Sequence, residues 1–273
     1  MRFLAVTGGH RVDLDAFTGM LAGLCAERGW VFAHAVQPAA QDWLGPEHRG
    51  VFDAVLCYDL PGLALRRGTA PRPVPPTPRV ARRLLDLLDT GLGFVFLHHA
   101  LAGWPAWPGW ADVLGGRYHY APAELRGQSW PDSGFRYARY TARVIDPDHP
   151  VCAGVGDFEL DDELYCCPVF ESVVPLLRAD APDGPFRETY HEVLGTPRSG
   201  PAWEHPPASD LIGWAKSAGR SPVVYLQPGD GPDTFGQPAY RRLVANALEW
   251  VSSAAARTWA AEHPTQIMPP AAV

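Results

Sequence analysis

GFVFLHHALAGWPAWPGWADVLGGRYHY, residues 93 to 120, runs an apolar strand pattern directly into two adjacent histidines, His98 and His99. Three tryptophans follow, and the stretch ends on a double glycine and a third nearby histidine. In open α/β sheets, ligands bind beyond the carboxyl ends of the parallel strands. The two histidines therefore stand where such a fold would place its chemistry, provided that the rest of the chain alternates strands with helices.

The segments before this stretch do alternate between strand and helix patterns. Gly29 and Gly91 each end a helical pattern, as a C-terminal cap does. Strands that alternate with helices predict an α/β fold with a mostly parallel sheet covered by helices in three layers. The predicted strands are 2–9, 31–36, 52–60 and 94–97, and the predicted helices are 13–29, 41–50 and 79–91.

After residue 120 the pattern is less regular but still contains short apolar runs typical of strands. We expect a single domain over residues 1–252 and an alanine- and proline-rich tail over residues 253–273. The proline-rich segment 184–207 is predicted to be a loop. The predicted strands of this half are 135–146, 157–165, 172–179, 210–216 and 221–229, and a closing helix is predicted over 238–255.

Composition excludes several classes of function. The 273 residues carry a formal net charge of −7 without a long block of either sign, which argues against a nucleic-acid partner. No apolar run approaches the roughly 20 residues of a membrane span, and the start does not resemble a secretory signal. Five cysteines without C-x-x-C spacing predict reduced, mostly buried thiols. We expect a cytoplasmic protein with a small-molecule partner; a homo-oligomer is left open.

Polar residues at the predicted strand ends are the first candidates for a site. A single histidine there is as often a satisfied polar residue, but the clustering favours function, because imidazole exchanges protons near neutral pH and binds metals. Adjacent strand residues point to opposite faces, so we expect only one of His98 and His99 in the pocket. A sharp turn would raise the first, which favours His98. The strand-end residues are Gly8, Gly9, His10, Tyr58, Asp59, His98, His99, Gly229 and Asp230.

Two further groups of residues could belong to the site. The tryptophans of WPAWPGW are more often packing residues, but an exposed ring would stack on the C–H face of a sugar. The candidate substrate-binding residues are Trp104, Trp107, Tyr58 and His99. In DDELY, Asp161, Asp162 and Glu163 are crowded like charges, which raises the pKa of any that is buried and suits it to acid–base work. A solvated acidic loop is the commoner alternative.

Four blocks of the sequence resemble the ThuA-like, trehalose-utilisation family, which has the class I glutamine amidotransferase-like fold. The blocks are GLGFVFLHHALAGWPAW, LGGRYHY, DPDHPVCAGVGDFELDDELY and GWAKSAGRSPVVYLQPGDGPDTFGQPAYRRLVANALEWV, which lie within residues 90–252. The resemblance implies a flavodoxin-like sheet and work on sugars, particularly 3-keto-glycosides made by a partner dehydrogenase. The turn that carries the amidotransferase cysteine reads LHHALAG here, so glutamine hydrolysis is not expected. Many relatives have histidine where this chain has Asp230.

These observations predict one cleft lined by His10, His98, His119, Glu163 and Asp230. We expect an enzyme that hydrolyses a keto-sugar glycoside or eliminates its substituent by acid–base chemistry; the alternative is a non-catalytic carbohydrate-binding or scaffolding protein. His98, His119 and Glu163 would make a two-histidine, one-carboxylate site for zinc or manganese. Without a metal, His98 and Glu163 would act as the acid–base pair.

Overall fold

A computed structural model describes residues 1–64, 66–70, 72–188 and 208–270. Most of the predicted loop 184–207 lies outside these residues. The strands, in chain order, are β1 (Arg2–Gly8), β2 (Val31–Val36), β3 (Ala54–Asp59), β4 (Leu63–Ala64), β5 (Arg72–Pro73), β6 (Gly93–Leu97), β7 (Ala123–Leu125), β8 (Gln128–Trp130), β9 (Gly134–Val144), β10 (Phe158–Cys166), β11 (Val174–Asp180), β12 (Arg187–Glu188), β13 (Leu211–Ala218) and β14 (Ser221–Leu226).

Most of the helices follow strands or lead into them. In the described residues, no helix combines the length and the apolar character needed to cross a lipid bilayer. The helices are α1 (Leu14–Arg28), α2 (Pro78–Asp89), α3 (Trp110–Leu114), α4 (Pro232–Gly236), α5 (Pro238–Ser252) and α6 (Ala254–Glu262).

One large sheet runs through the molecule in the order β10-β9-β11-β13-β14-β6-β3-β1-β2, with β12 paired to β9. From β14 to β2 all neighbouring strands are parallel. From β14 to β10 they are antiparallel. The parallel part with its helices confirms the predicted α/β fold. The antiparallel strands extend that sheet on one side and bring β10 across to the functional residues described below.

Each face of the sheet carries its own hydrophobic cluster, because successive strand residues point to opposite sides. Phe3 of β1 belongs to the cluster under α1 and α5, whereas the next residue, Leu4, belongs to the cluster under α2. Phe17 of α1 and Leu243 of α5 are fully buried in the first cluster, and Leu87 of α2 is fully buried in the second. Helices therefore cover both faces, which gives the three predicted layers.

The cysteines agree with the predicted reduced thiols. All five are free, and only Cys25 is more than slightly exposed. Burial raises the pKa of the Cys57 and Cys167 thiols above the ordinary value, so neither is primed as a nucleophile. Cys57 lies within β3 and not at the turn after β6.

The predicted helix over residues 41–50 is wrong. This segment holds two short 3-10 helices, Ala39–Trp43 and Pro46–His48, separated by extended backbone at Gly45. Proline lacks an amide hydrogen and disfavours helical geometry in the residue before it, so Gly45-Pro46 interrupts a continuous helix.

The segment beyond residue 252 is not a simple tail. Helix α5 ends at Ser252, and extended backbone at Ser253 starts α6, whose first turn is capped when Ala256 N donates to Ser253 Oγ. Ala256 is buried, and α6 contacts β13 and β14. Farther along, Thr265 pairs with Gly219. The predicted tail therefore adds a helix to the packed structure; residues 271–273 lie outside the described part.

Asp59 is a buried carboxyl at the end of β3. Gln37 Nε2 donates to Asp59 Oδ2 at 2.7 Å. Burial raises the pKa of Asp59 to about 7, although the hydrogen bond from Gln37 opposes the change. The folded protein therefore retains a proton on Asp59 in a pH range in which the unfolded chain has lost it.

Asp59 contributes stability that is fully present below the ordinary carboxyl pKa of 3.8 and is lost as the pH rises through about 7. We expect this contribution to the free energy of unfolding to fall by up to about 1.4 kcal/mol per pH unit across this window. Asp59→Asn should remove this pH-dependent part of the free energy of unfolding, so the variant should be more stable than the parent at about pH 8. Urea unfolding across this pH range measures the difference. Asp86→Asn, on the exposed side of α2, is the control; a parallel pH dependence in Asp59→Asn and the parent would contradict the assignment.

Candidate active site

The turn after β6 is a sharp one and begins at His98. Its φ is +40°, in a region that residues other than glycine rarely adopt, and a 3-10 helix starts at the same residue. Such strain persists only where surrounding structure holds it. The strand end predicted to raise His98 above the sheet is therefore present, and its backbone is strained as in a nucleophile elbow.

The ring of His98 is fully buried and has polar groups on both sides. Nδ1 lies 2.6 Å from the carbonyl oxygen of Gln227, beyond the end of β14. Nε2 lies 2.8 Å from the hydroxyl of Tyr165 and 3.1 Å from Glu163 Oε2, both on β10. Asp230 Oδ1 is 3.4 Å from the same nitrogen. Nε2 therefore faces two carboxylates.

These carboxylates decide the charge of His98. Burial by itself lowers the pKa of an imidazole, but Asp230 and Glu163 outweigh it and raise the pKa of His98 to about 10. Burial also acts against ionisation of Asp230, yet His98 holds the pKa of that carboxyl below its ordinary value. In this arrangement His98 is a buried cation between two anions.

Asp162 fixes the loop that carries Asp230. Its carboxylate accepts from the backbone N–H of Gly229 at 2.7 Å, from that of Asp230 at 3.1 Å and from the Thr234 hydroxyl at 2.7 Å. Two buried hydroxyls hold the loop from the other side: Tyr58 donates to the Gly229 carbonyl and Tyr240 to the Pro228 carbonyl. The position of Asp230 is therefore determined by its buried neighbours.

His99 also reaches this loop, contrary to the expectation that only one of the adjacent histidines would. Its Nε2 lies 3.6 Å from Asp230 Oδ1, and its ring is perpendicular to that of His98 at a centroid distance of 4.3 Å. Strand alternation does not apply, because the strained turn at His98 ends the strand first. Burial lowers the pKa of His99 well below the ordinary value. His10 stacks on His99 at 4.1 Å, and burial lowers the pKa of His10 as well.

An open cleft of about 620 Å³ leads to these residues. Tyr137, on the exposed side of β9, donates its hydroxyl to Asp230 Oδ2 at 2.8 Å at the wall of the cleft. Most of the side chains around the cleft are polar, and they include both positive and negative charges, which suits a hydroxyl-rich ligand. It is lined by His10, Arg11, Val12, Asp13, Leu14, Asp15, Tyr137 and Asp230.

Four of the five residues predicted to line one cleft lie close together, and two of them, His10 and Asp230, line the open cleft. His10 contacts His99, His99 and His98 both approach Asp230, and His98 approaches Glu163. The fifth residue, His119, is buried. Its backbone is tied to Ser133, which donates its N–H to the His119 carbonyl at 2.7 Å.

Among the described residues, the predicted metal ligands His98, His119 and Glu163 do not bring three ligand atoms within 4.8 Å of one another. A different set of possible metal ligands is close together. His98, His99 and Asp230 each offer one ligand atom, and the three atoms lie within 4.8 Å of one another. This set keeps the predicted composition of two imidazoles and one carboxylate, but two of its three members differ.

The predicted aromatic platform for a sugar is wrong. Trp104, Trp107 and Trp110 are at most 6% exposed and belong to one hydrophobic cluster. The indole N–H of Trp107 donates to the carbonyl of Met268 at 2.7 Å, and that of Trp110 donates to Ala100. Tyr58 is likewise buried, and its hydroxyl is engaged by the Gly229 carbonyl. These rings support the site from beneath and do not face the cleft.

The sequence contained signals for several residues that the analysis of strand ends missed. Tyr165 lies two positions after Glu163 on β10, and residues two apart in a strand point to the same face. Gln227 directly follows β14, although only its backbone carbonyl contacts His98. No signal distinguished Asp162, because three of the four groups that donate to its carboxylate lie at least 67 positions away along the chain.

The chain belongs to the trehalose-utilisation (ThuA) family, whose model matches residues 72–251. This match covers more than half of the chain and confirms the resemblance found in the sequence. A comparison with curated proteins finds no match.

Solved structures share the fold at low sequence identity. A ThuA-like protein from Parabacteroides merdae superposes with a TM-score of 0.63 at 14% identity, over 98% of this chain and 93% of its own. A cytoplasmic protein from Salmonella typhimurium LT2 gives a TM-score of 0.56 at 13% identity, over 92% and 99%. A second Salmonella typhimurium cytoplasmic protein gives 0.55 at 11% identity, over 91% and 98%. These similarities establish the flavodoxin-like fold.

Replacing Asp162 with asparagine should destabilise the protein. An asparagine keeps one acceptor oxygen but turns an NH₂ group toward donors that the carboxylate now satisfies, so we expect a loss of about 1–3 kcal/mol in the free energy of unfolding. Urea denaturation measures this loss. Asp161→Asn, on the neighbouring exposed position of β10, should change it by less than about 0.5 kcal/mol. Equal effects of the two variants would contradict the role of Asp162.

Proposed function

We propose that this protein is an enzyme that acts on a 3-keto-glycoside and releases the substituent at the anomeric carbon. Membership of the trehalose-utilisation family supports a carbohydrate substrate. The observation that carries the proposal is the placement of Glu163 Oε2 3.1 Å from His98 Nε2, at the end of the strand where this fold places its chemistry.

A keto group at C3 of a sugar makes the hydrogen on C2 acidic. In the proposed reaction, Glu163 removes that proton, and the electron pair moves onto the keto oxygen as an enolate. The enolate then collapses, a C1–C2 double bond forms, and the bond from C1 to the substituent's oxygen breaks. The departing oxygen takes the proton back from Glu163, so the products are an alcohol and an unsaturated keto sugar. Addition of water across the new double bond would complete a hydrolysis.

The neighbouring residues suit the remaining tasks of this reaction. The positive charge at His98 lies next to Glu163 and would stabilise the enolate oxygen, which is where negative charge develops. Asp230 and Tyr137 at the cleft wall, with His10 beside them, offer acceptors and donors for sugar hydroxyls. No strong nucleophile is required, which is consistent with histidine in place of cysteine at the turn after β6.

Release of 4-nitrophenol from 4-nitrophenyl 3-keto-glucoside, and of glucose from 3-keto-trehalose, tests the proposal. We expect turnover by the parent protein and a loss of at least about 100-fold in Glu163→Gln, because the amide cannot accept the proton. Glu159→Gln, the same substitution on the exposed side of β10, should retain full activity. Binding of the keto-glycoside without turnover would instead indicate a carbohydrate-binding protein.

Hydrogen exchange separates proton removal from departure of the substituent. A 3-keto-1,5-anhydro sugar has no leaving group at C1, so the reaction should stop at the enolate and return a proton from solvent. In D₂O, we expect the parent protein to introduce deuterium at C2 and Glu163→Gln to introduce none above the rate in buffer. Turnover of the glycoside without exchange at C2 would contradict the enolate route.

A further inference from the structure

His99 is a buried side chain whose polar atoms the proposed reaction leaves unexplained. The residue is 6% exposed, and its Nδ1 is a buried nitrogen without a hydrogen-bond partner among the described residues. A buried polar group without a partner costs free energy, and such groups in folded proteins usually have a reason. The Nε2 atom is directed at Asp230 but stops 3.6 Å from Oδ1.

The distances between Asp230 Oδ1 and the Nε2 atoms of His98 and His99 are explained by a shared metal ion. Asp230 Oδ1 lies 3.4 Å from His98 Nε2 and 3.6 Å from His99 Nε2, which is too long for good hydrogen bonds. Tetrahedral zinc with bonds of about 2.0–2.1 Å keeps neighbouring ligand atoms about 3.3–3.4 Å apart. Two of the three separations are therefore close to the distance that ligands of one ion require, and all three atoms lie within 4.8 Å of one another.

We propose that His98 Nε2, His99 Nε2 and Asp230 Oδ1 bind a divalent transition-metal ion, with zinc as the best fit. Two imidazoles and a carboxylate are a ligand set that zinc accepts in catalytic sites, with a further position left for water or substrate. Asp230 also lines the open cleft, together with His10, whose ring stacks on that of His99.

The surroundings of His98 and Asp230 are those that metal ligands need. A metal-binding histidine commonly donates its other ring N–H to a backbone carbonyl, as His98 Nδ1 can donate to Gln227. The second carboxylate oxygen of Asp230 accepts from Tyr137, and the Asp230 backbone is held by Asp162. These contacts orient the ligand atoms before an ion arrives.

Glu163 remains outside this ligand set and keeps its role as the base. The ion would supply, next to Glu163, the positive charge that the proposed reaction requires at the keto oxygen, acting as a Lewis acid. The inference thus builds on the proposed function and names its cofactor. Without an ion, a proton on His98 Nε2 shared with Glu163 and Tyr165 would occupy the same place.

Zinc binding can be measured without any sugar substrate. Protein purified without an affinity tag is stripped with a chelator and titrated with ZnCl₂ against a chromophoric zinc chelator. We expect one equivalent to bind the parent protein, and a loss of affinity of at least about 100-fold in His99→Leu and in Asp230→Asn, since each removes one of three ligands. Glu163→Gln and His119→Ala should bind zinc as the parent does.

Two results would overturn the inference. The first is that the parent protein binds no stoichiometric zinc. The second is that the parent, His99→Leu and Asp230→Asn bind zinc with equal affinity, since equal affinities would indicate binding at exposed histidines. Circular dichroism identifies any variant that fails to fold. If His99→Leu does not fold, Asp230→Asn still tests the site, because this substitution preserves the shape of the side chain. Because Glu163→Gln should lose turnover and retain zinc, failure of the metal site and failure of the proposed reaction give different results.

Discussion

The hydrogen bond between His98 Nδ1 and the carbonyl of Gln227 joins the ends of two neighbouring parallel strands, β6 and β14. It determines which way the imidazole faces, because the ring cannot rotate without giving up the bond. The opposite nitrogen is thereby directed at the side chains that β10 and the following loop supply. Because the acceptor is a main-chain carbonyl directly after β14, the sheet itself fixes its position, and the orientation of the imidazole is fixed with it.

Three carboxylates lie close together here, and each has different partners. Asp162 accepts hydrogen bonds from three donors in the segment after β14, and Asp230 shares its oxygens between Tyr137 and the histidines. Glu163 depends on His98 alone among the charged groups within ion-pair distance in the described residues. Asp162 and Asp230 are thus each tied to several groups, which under the proposed reaction leaves Glu163 to transfer the proton.

The sequence predicted the strands and their ends better than it predicted the contacts that the side chains make there. Alternating patterns and strand ends placed His98 and Asp230 at the site, because parallel strands deliver their carboxyl ends to one edge. The same reasoning failed for His99, since alternation holds only within a regular strand. It also left the exposure of Trp107 open, because helical spacing does not say what covers a ring; the group that covers it, Met268, is 161 residues away.

That distance bears on the order in which the protein is made. The indole of Trp107 lies in the cluster beneath the turn at His98, and it obtains its hydrogen-bond acceptor from Met268. The N–H of Met268 in turn donates to Asp112 in α3. A nascent chain can pair β1 with β2 and β3 early, but it cannot close this cluster until residue 268 has left the ribosome. The support beneath the turn at His98 is therefore completed only after every strand of the sheet has been translated.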